Sequence, residues 1–245
     1  MKEGRPLWKR IARVIGFTFL AVIVALVGVA AYFTVCGYQM YRNVMDTTDI
    51  SAVVEEIRAR DTYTKLEDLP EFYVKGVVAV EDHRFYSHSG IDIASIFRAV
   101  FVNLKEMRLE AGGSTITQQT AKNLFFTNEK RFERKVAEVF MVSRLEEMYS
   151  KDEILEVYVN MIDFGSGFTG IYEASMGYYG KEPRDLNEAE CAMLIGIPNA
   201  PQCYSPLVDP VAAEEKYNYV VEQLVECGLI KEEFLPTMAF PEVKG

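Results

Sequence analysis

Glu81-Asp82-His83-Arg84-Phe85-Tyr86-Ser87-His88-Ser89-Gly90-Ile91-Asp92 gathers three carboxylates, both histidines of the chain, an arginine and two aromatic rings in one short stretch. It follows directly on the apolar run Val77-Val78-Ala79-Val80. A packed helix that gives way abruptly to polar residues can deliver a side chain to a cleft, and Glu81 stands at that seam. Burial against an apolar wall raises a carboxyl pKa toward that of a working base or acid, whereas neighbouring cations lower it. Taken alone, the stretch reads more readily as a charged helix end at the surface. The weight comes from matching groups elsewhere in the chain.

Gly112-Gly113-Ser114-Thr115-Ile116-Thr117-Gln118-Gln119-Thr120-Ala121-Lys122-Asn123 is a glycine pair feeding a helix start. Thr115 and Gln118 have capping-box spacing, and glycines ahead of a helix amino terminus let the backbone approach an anion. No GK[ST] follows, so this is not a nucleotide P-loop. Asn103–Gly113 reads as a mobile flap. A helix cap accounts for the glycine and threonine but not for Gln118, Gln119, Lys122 and Asn123 together.

Arg131, Arg134, Lys135 and Glu138 recur at i, i+3, i+4 and i+7, so three cations and one carboxylate share a helical face. One reading is a cationic stripe for an anionic partner. The other is a solvated face stitched by Arg134–Glu138 and Lys135–Glu138 pairs, each contributing a few tenths of a kcal/mol. The two readings balance. The segment 151–206, with Glu156 and Asn160, then a glycine loop and the proline loop Gly196–Pro206, reads as scaffold around a cleft.

The elements that must position these groups are mostly helices. Asp68-Leu69-Pro70 opens a helix over Pro70–Glu81, and Asp92 caps one from Ile93 to about Met107. Ser150–Glu153 and Asn187–Glu190 are capping boxes, and Asp209-Pro210 starts a last long helix that Gly228 closes. Period-two strands are scarce, so the fold is expected to be mainly α.

Ahead of all this lies an appendage. Val14 to Tyr41 holds no charged residue, and such a run would span roughly 42 Å as a helix, enough for the hydrocarbon core. Lys2, Arg5, Lys9, Arg10 and Arg13 precede it, which by the positive-inside rule keeps the amino terminus in the cytoplasm and sends the rest outside. The run is too long for an ordinary signal peptide. The expected division is a basic tail (1–13), a single-pass transmembrane helix (14–41), a juxtamembrane stalk (42–64) and a globular domain (65–245). Residues 43–245 carry 20 basic and 35 acidic side chains, a net charge of −15, which argues against a nucleic-acid binder, since that would need a basic footprint. The four cysteines are widely spaced with no CxxC pair, which speaks against a zinc site or a disulfide framework.

Placed in order, the blocks resemble the peptidoglycan glycosyltransferases (glycosyltransferase family 51), found alone or fused to penicillin-binding transpeptidases. The pattern ED-x-x-F-x-x-H-x-G-x-D is met at Glu81, Asp82, Phe85, His88, Gly90 and Asp92, and G-x-S-T-I-T-Q-Q-x-x-K-N from Gly112 to Asn123. R-K-x-x-E is Arg134-Lys135-Val136-Ala137-Glu138, I-L-E-x-Y-L-N recurs with Val159 for leucine, and the proline motif fits Ala192–Pro206. The resemblance implies a lysozyme-like, two-lobed α domain on the outer face of a bacterial cell membrane. It implies polymerisation of lipid II into β-1,4-linked glycan strands with release of undecaprenyl pyrophosphate and inversion at the donor carbon. The growing glycan strand and the bilayer are implied partners, with transpeptidases and other wall-synthesis proteins as further candidates.

By the same resemblance Glu81 is the general base, and Glu138 the second glutamate, with a role in donor positioning, pyrophosphate or metal contact, or help to the base. Lys122, Arg134 and Lys135 are to stabilise the pyrophosphate, with Mg2+ or another divalent cation as a candidate helper and no organic cofactor. Ser114, Thr115, Gln118, Gln119 and Asn123 are to bind sugar and phosphate oxygens, and Asp82, Phe85 and His88 to shape the wall. For His88 a purely structural role is at least as well supported. With no SxxK serine downstream, a monofunctional enzyme is the simplest expectation, a truncated bifunctional one the alternative. The rivals are a lytic transglycosylase or muramidase, which needs no cationic pyrophosphate site, and an inactive wall-synthesis scaffold.

Overall fold

The first helix sets the layout. In this computed structural model, which describes residues 7–96, 98, 113–126 and 131–244, α1 (Leu7–Thr47) runs unbroken for 41 residues. Its part from Arg13 to Thr47 is long and apolar enough to cross a membrane. The helix outlasts the charge-free run because its last turns have a packing face. Tyr41, Val44 and Met45, at i, i+3 and i+4, join a small core with Ile50, Met141, Val142 and Leu145. Arg42 and Asp46 pair at 3.4 Å on its exposed side.

The expected stalk, residues 42–64, is corrected on this point: it is folded onto the domain. Helix α2 (Ile50–Arg58) is capped by Asp49, whose carboxylate accepts from the Ser51 amide at 2.9 Å. Ile50, Val54 and Ile57 are buried at helical spacing, and the last two pack against Val157. Two further ties follow. Tyr63 donates to Glu156 at 2.5 Å and the Leu66 amide to the same carboxylate at 2.9 Å. Asn160 exchanges two bonds with the Thr64 backbone, at 2.8 and 2.7 Å. Glu156 and Asn160 thus hold the segment in place, the scaffold role expected of them.

The remaining helices are α3 (Glu71–Glu81), α4 (Ile116–Phe125), α5 (Phe132–Met148), α6 (Lys151–Met161) and α7 (Gly170–Tyr179). After them come α8 (Glu188–Gly196), the single turn α9 (Pro201–Tyr204) and α10 (Pro210–Glu226). Each of the three capping boxes forms with both reciprocal bonds, at Thr115, Ser150 and Asn187. Gly228 follows α10 with φ +73°, a left-handed conformation that favours glycine. Among the described residues the only β pairing is an isolated bridge between Asp163 and Thr169.

The two largest of three buried clusters give two lobes, the third being the small contact of Val54 and Ile57 with Val157. The larger is built on α3, α6, α7, α8 and α10, with α8 buried from Glu190 through Gly196. The smaller joins α4 and α5 to the end of α1. The α1–α5 contact is close: Phe33 meets Phe132 edge-on at 4.8 Å, Tyr38 meets Phe140 at 5.2 Å, and Gly37 abuts Val136. Of the helix expected from Ile93 to Met107, only 93–96 and 98 lie within the described residues, with the Ser95 amide bonded to Asp92 at 3.0 Å. Of the flap expected over Asn103–Gly113, only Gly113 does.

Candidate active site

Glu81 is the last residue of α3. The helix stops there because Asp82 leaves helical geometry (φ −157°, ψ 70°). Tyr73 and Val77 anchor its inner face in the larger core, so Glu81 is carried to the edge of the packed region. Its carboxylate keeps an opening to a cleft of about 580 Å³ while its other surroundings are dense. Gln119 on α4 donates to Oε2 at 2.7 Å and accepts from Tyr158 at 3.4 Å. Burial raises the Glu81 pKa, Gln119 and then Lys216 oppose the rise, and Asp82 adds to it. A carboxylate so placed is a stronger base than an ordinary glutamate and remains reachable from the cleft.

Ser114, Gln119, Lys122 and Asn123 line the same cleft. Lys135 joins the group through Ser114, donating to its hydroxyl at 3.1 Å. Burial, then Arg134, then Lys122 push the Lys135 ammonium down to about 8, and burial and Arg134 lower Lys122 as well. Two half-buried lysines whose charged forms are disfavoured beside the Arg134 guanidinium make a site suited to an anion. Glu138 beneath them is 0 % exposed. It forms an ion pair with Arg134, and Lys135 Nζ stands 2.9 Å from its second oxygen, an ion pair rather than an aligned hydrogen bond. The solvated-face reading of this stripe is thereby corrected: the pairs form, but on a carboxylate buried in the protein.

Several expected contact residues lie behind the cleft. Thr115 and Gln118 are nearly inaccessible and spend their side chains on the capping box, Thr115 also donating to the Gly90 carbonyl at 2.6 Å. Phe85 is wholly buried, with the Lys151 ammonium 4.5 Å from its ring centre. Asp82 accepts from His88 at 2.8 Å and from the Ile116 amide at 3.1 Å. The Ile116–Asp82 bond ties the end of α3 to the first turn of α4, and so fixes Glu81 relative to Gln119, while His88 holds the Asp82 carboxylate. For Thr115 and Gln118, the geometry supports a wall built from behind rather than direct contact.

One trio of ligand-type side chains stands close together among the described residues, Asp82, His88 and Asp92. It does not fit a resident divalent cation. Asp92 is held by the Arg84 guanidinium, including a 2.9 Å bond from Nε, and by the Ser95 hydroxyl at 2.6 Å. Asp82 is taken up by His88 and Ile116.

The other side of the cleft was only partly legible. Asn199 and Gln202 belong to the proline loop read as scaffold, and Asp163 to the glycine loop. Lys216 and Tyr219 come from α10, which reads in sequence as a helix and nothing more. The one signal is that Lys216 interrupts the buried series Ala213, Tyr217 and Val220 at its shoulder.

Residues 48–225 match the family model described as Transglycosylase. The chain is 41% identical over 174 residues to Penicillin-binding protein 1A of Pseudomonas aeruginosa, covering 71% of this chain and 21% of that one. It is 39% identical over 224 residues to Penicillin-binding protein 1A of Neisseria gonorrhoeae, covering 87% and 28%. A crystal structure of Penicillin-Binding Protein 1A from Haemophilus influenzae aligns over 73% of this chain and 17% of that chain, at 20% identity and a TM-score of 0.41. The chain therefore spans about a quarter of the length of these curated relatives.

Proposed function

This chain belongs to the transglycosylase family, the peptidoglycan glycosyltransferases, and on that premise we propose that it polymerises lipid II into β-1,4-linked glycan strands with release of undecaprenyl pyrophosphate. The observation that carries the reading is the presence, in one cleft, of a carboxylate whose pKa is raised by burial together with Lys122, and of Lys135 bonded to the cleft-lining Ser114 with Arg134 close behind it. Each half answers one demand of the reaction. The acceptor 4-hydroxyl has a high pKa and needs a base as it attacks. The departing pyrophosphate is weakly basic and needs charge stabilisation more than a proton.

Glu81 takes the hydroxyl proton as the new glycosidic bond forms at the donor carbon and the bond to pyrophosphate breaks, which inverts that carbon. Gln119 orients the carboxylate, and Lys122, Arg134 and Lys135 receive the negative charge that accumulates on the leaving group. Glu138 holds Arg134 and Lys135 together, so that two like charges can share one helix face beside the cleft. Ser114 and Asn123 supply hydroxyl and amide contacts to sugar or phosphate oxygens. Helix α1 anchors the domain to the membrane with the amino terminus in the cytoplasm, which keeps the cleft near a lipid-linked substrate. A muramidase that cuts glycan needs no cationic pyrophosphate site, so the three cations favour synthesis over cleavage.

The test is incubation of the purified full chain with labelled lipid II in detergent. Appearance of a polymer together with free undecaprenyl pyrophosphate supports the proposal. Shortening of added glycan, or no reaction of either substrate, contradicts it.

A further inference from the structure

We propose that Lys216 is a positioning residue for this reaction: from the α10 wall of the cleft it keeps the Glu81 carboxylate in the ionised form that can take the acceptor hydroxyl's proton. The proposal rests on the reading of Glu81 as the base. Lys216 and Glu81 line the same cavity although they are far apart in sequence. The lysine stem lies against Gly196, where an added Cβ would come within 3.1 Å of Lys216 Cγ. Its ammonium is 4.7 Å from the ring centre of Tyr219 and 5.5 Å from that of Tyr204. Contacts of this kind hold a flexible cation in place while leaving it charged.

The groups around Glu81 divide into two sets. Dense packing favours the neutral carboxyl, and so does Asp82 on the chain just after it. Tyr73 of α3 and Tyr158 of α6 face it as phenols whose own ionisation its charge opposes. Asp163 lines the cavity with its Oδ1 bonded to the Gly165 amide at 2.7 Å. From α8, Cys191 bears on Tyr73 rather than on Glu81. The ionised form is favoured by the Gln119 amide at 2.7 Å and by the charge of Lys216. Lys122 shares the cavity but belongs to the cluster with Arg134 and Lys135. A neutral Glu81 cannot accept a proton, so removing the α10 charge makes the enzyme more sensitive to acid.

The experiment is a set of pH–rate profiles from about pH 5 to about pH 9 for lipid II polymerisation by the full chain, with kcat and KM determined separately. Lys216→Met and Lys216→Gln should move the acid limb of kcat toward higher pH, with ~tenfold loss near pH 6 and less than about twofold near pH 8.5. KM should change little, and Lys216→Arg should restore the limb. An unmoved limb with a raised KM would make Lys216 a substrate contact and overturn the proposal. So would a loss uniform in pH and accompanied by a lower unfolding temperature in both variants. The reading of Glu81 is tested apart, by Glu81→Gln with Lys216 intact. If that variant is inactive while the Lys216 variants keep the wild-type limb, only the role of Lys216 falls.

Discussion

Removing the charge of Glu138 should cost the protein stability before it costs it chemistry. The carboxylate is 0 % exposed and carries Arg134 and Lys135, whose side chains are 14% and 44% exposed. Glu138→Gln keeps the shape and leaves two cations without their counter-charge. Breaking a buried pair costs about 3–5 kcal/mol. Lys135 can turn partly toward water, so the lower end applies, ~3 kcal/mol. For a domain of this size that corresponds to an unfolding midpoint lower by roughly 6–12 °C. The assay is thermal unfolding of the full chain in detergent, followed by near-ultraviolet circular dichroism, with and without inorganic pyrophosphate. Because the variant holds uncompensated cations, pyrophosphate should raise its midpoint more than it raises that of the wild type. A Glu138→Gln protein with an unchanged midpoint and no added response to pyrophosphate would refute this account of the stripe, and a selective loss of kcat would return Glu138 to proton transfer.

The close approach of α1 to α5 gives a second expectation. A Cβ on Gly37 would stand 2.6 Å from Val136 Cβ and 2.9 Å from the Glu133 carbonyl oxygen, so Gly37→Leu should cost about 1–3 kcal/mol by overpacking, and unaltered thermal unfolding would show that the helices part easily. Topology is checked by adding protease to intact spheroplasts: the domain should be digested and the amino terminus spared, the reverse pattern overturning the orientation of α1. The pH dependence of stability has a definite sign at Glu81. Its folded-state pKa is raised above the unfolded value, so the neutral carboxyl stabilises the fold at acid pH and that contribution is lost as pH rises through the folded value. Glu81→Gln should therefore raise the unfolding midpoint near pH 8 and not near pH 4; a lower midpoint near pH 8 would contradict the burial argument.

What the sequence made legible was mainly local. The three capping boxes, the start of α10 at Asp209 and its close at Gly228 follow from side chains bonding to backbone a few residues away, so spacing alone reveals them. The continuation of α1 through Thr47 and the folding of residues 50–58 onto α6 were not read. Charge content marked that stretch as a stalk, while the deciding feature was the helical spacing of Ile50, Val54 and Ile57. Gln118 and Gln119 are adjacent amides with different duties, one closing a helix end and one bonded to Glu81, and nothing local distinguishes them. Periodicity put Arg134, Lys135 and Glu138 on one face but could not say whether that face meets water. Lys216 reaches the cleft through the packing of α10 on α3 and α8, a long-range contact with no local trace.

The central claim is that Glu81 is the base. Glu81→Gln preserves the size of the side chain and most of its contacts but cannot accept the hydroxyl proton. Initial rates of lipid II polymerisation by the purified full-length variant should fall by about 10²–10⁴-fold, the usual weight of general base catalysis, with KM little changed. A variant that polymerises lipid II at close to the wild-type rate would contradict the account.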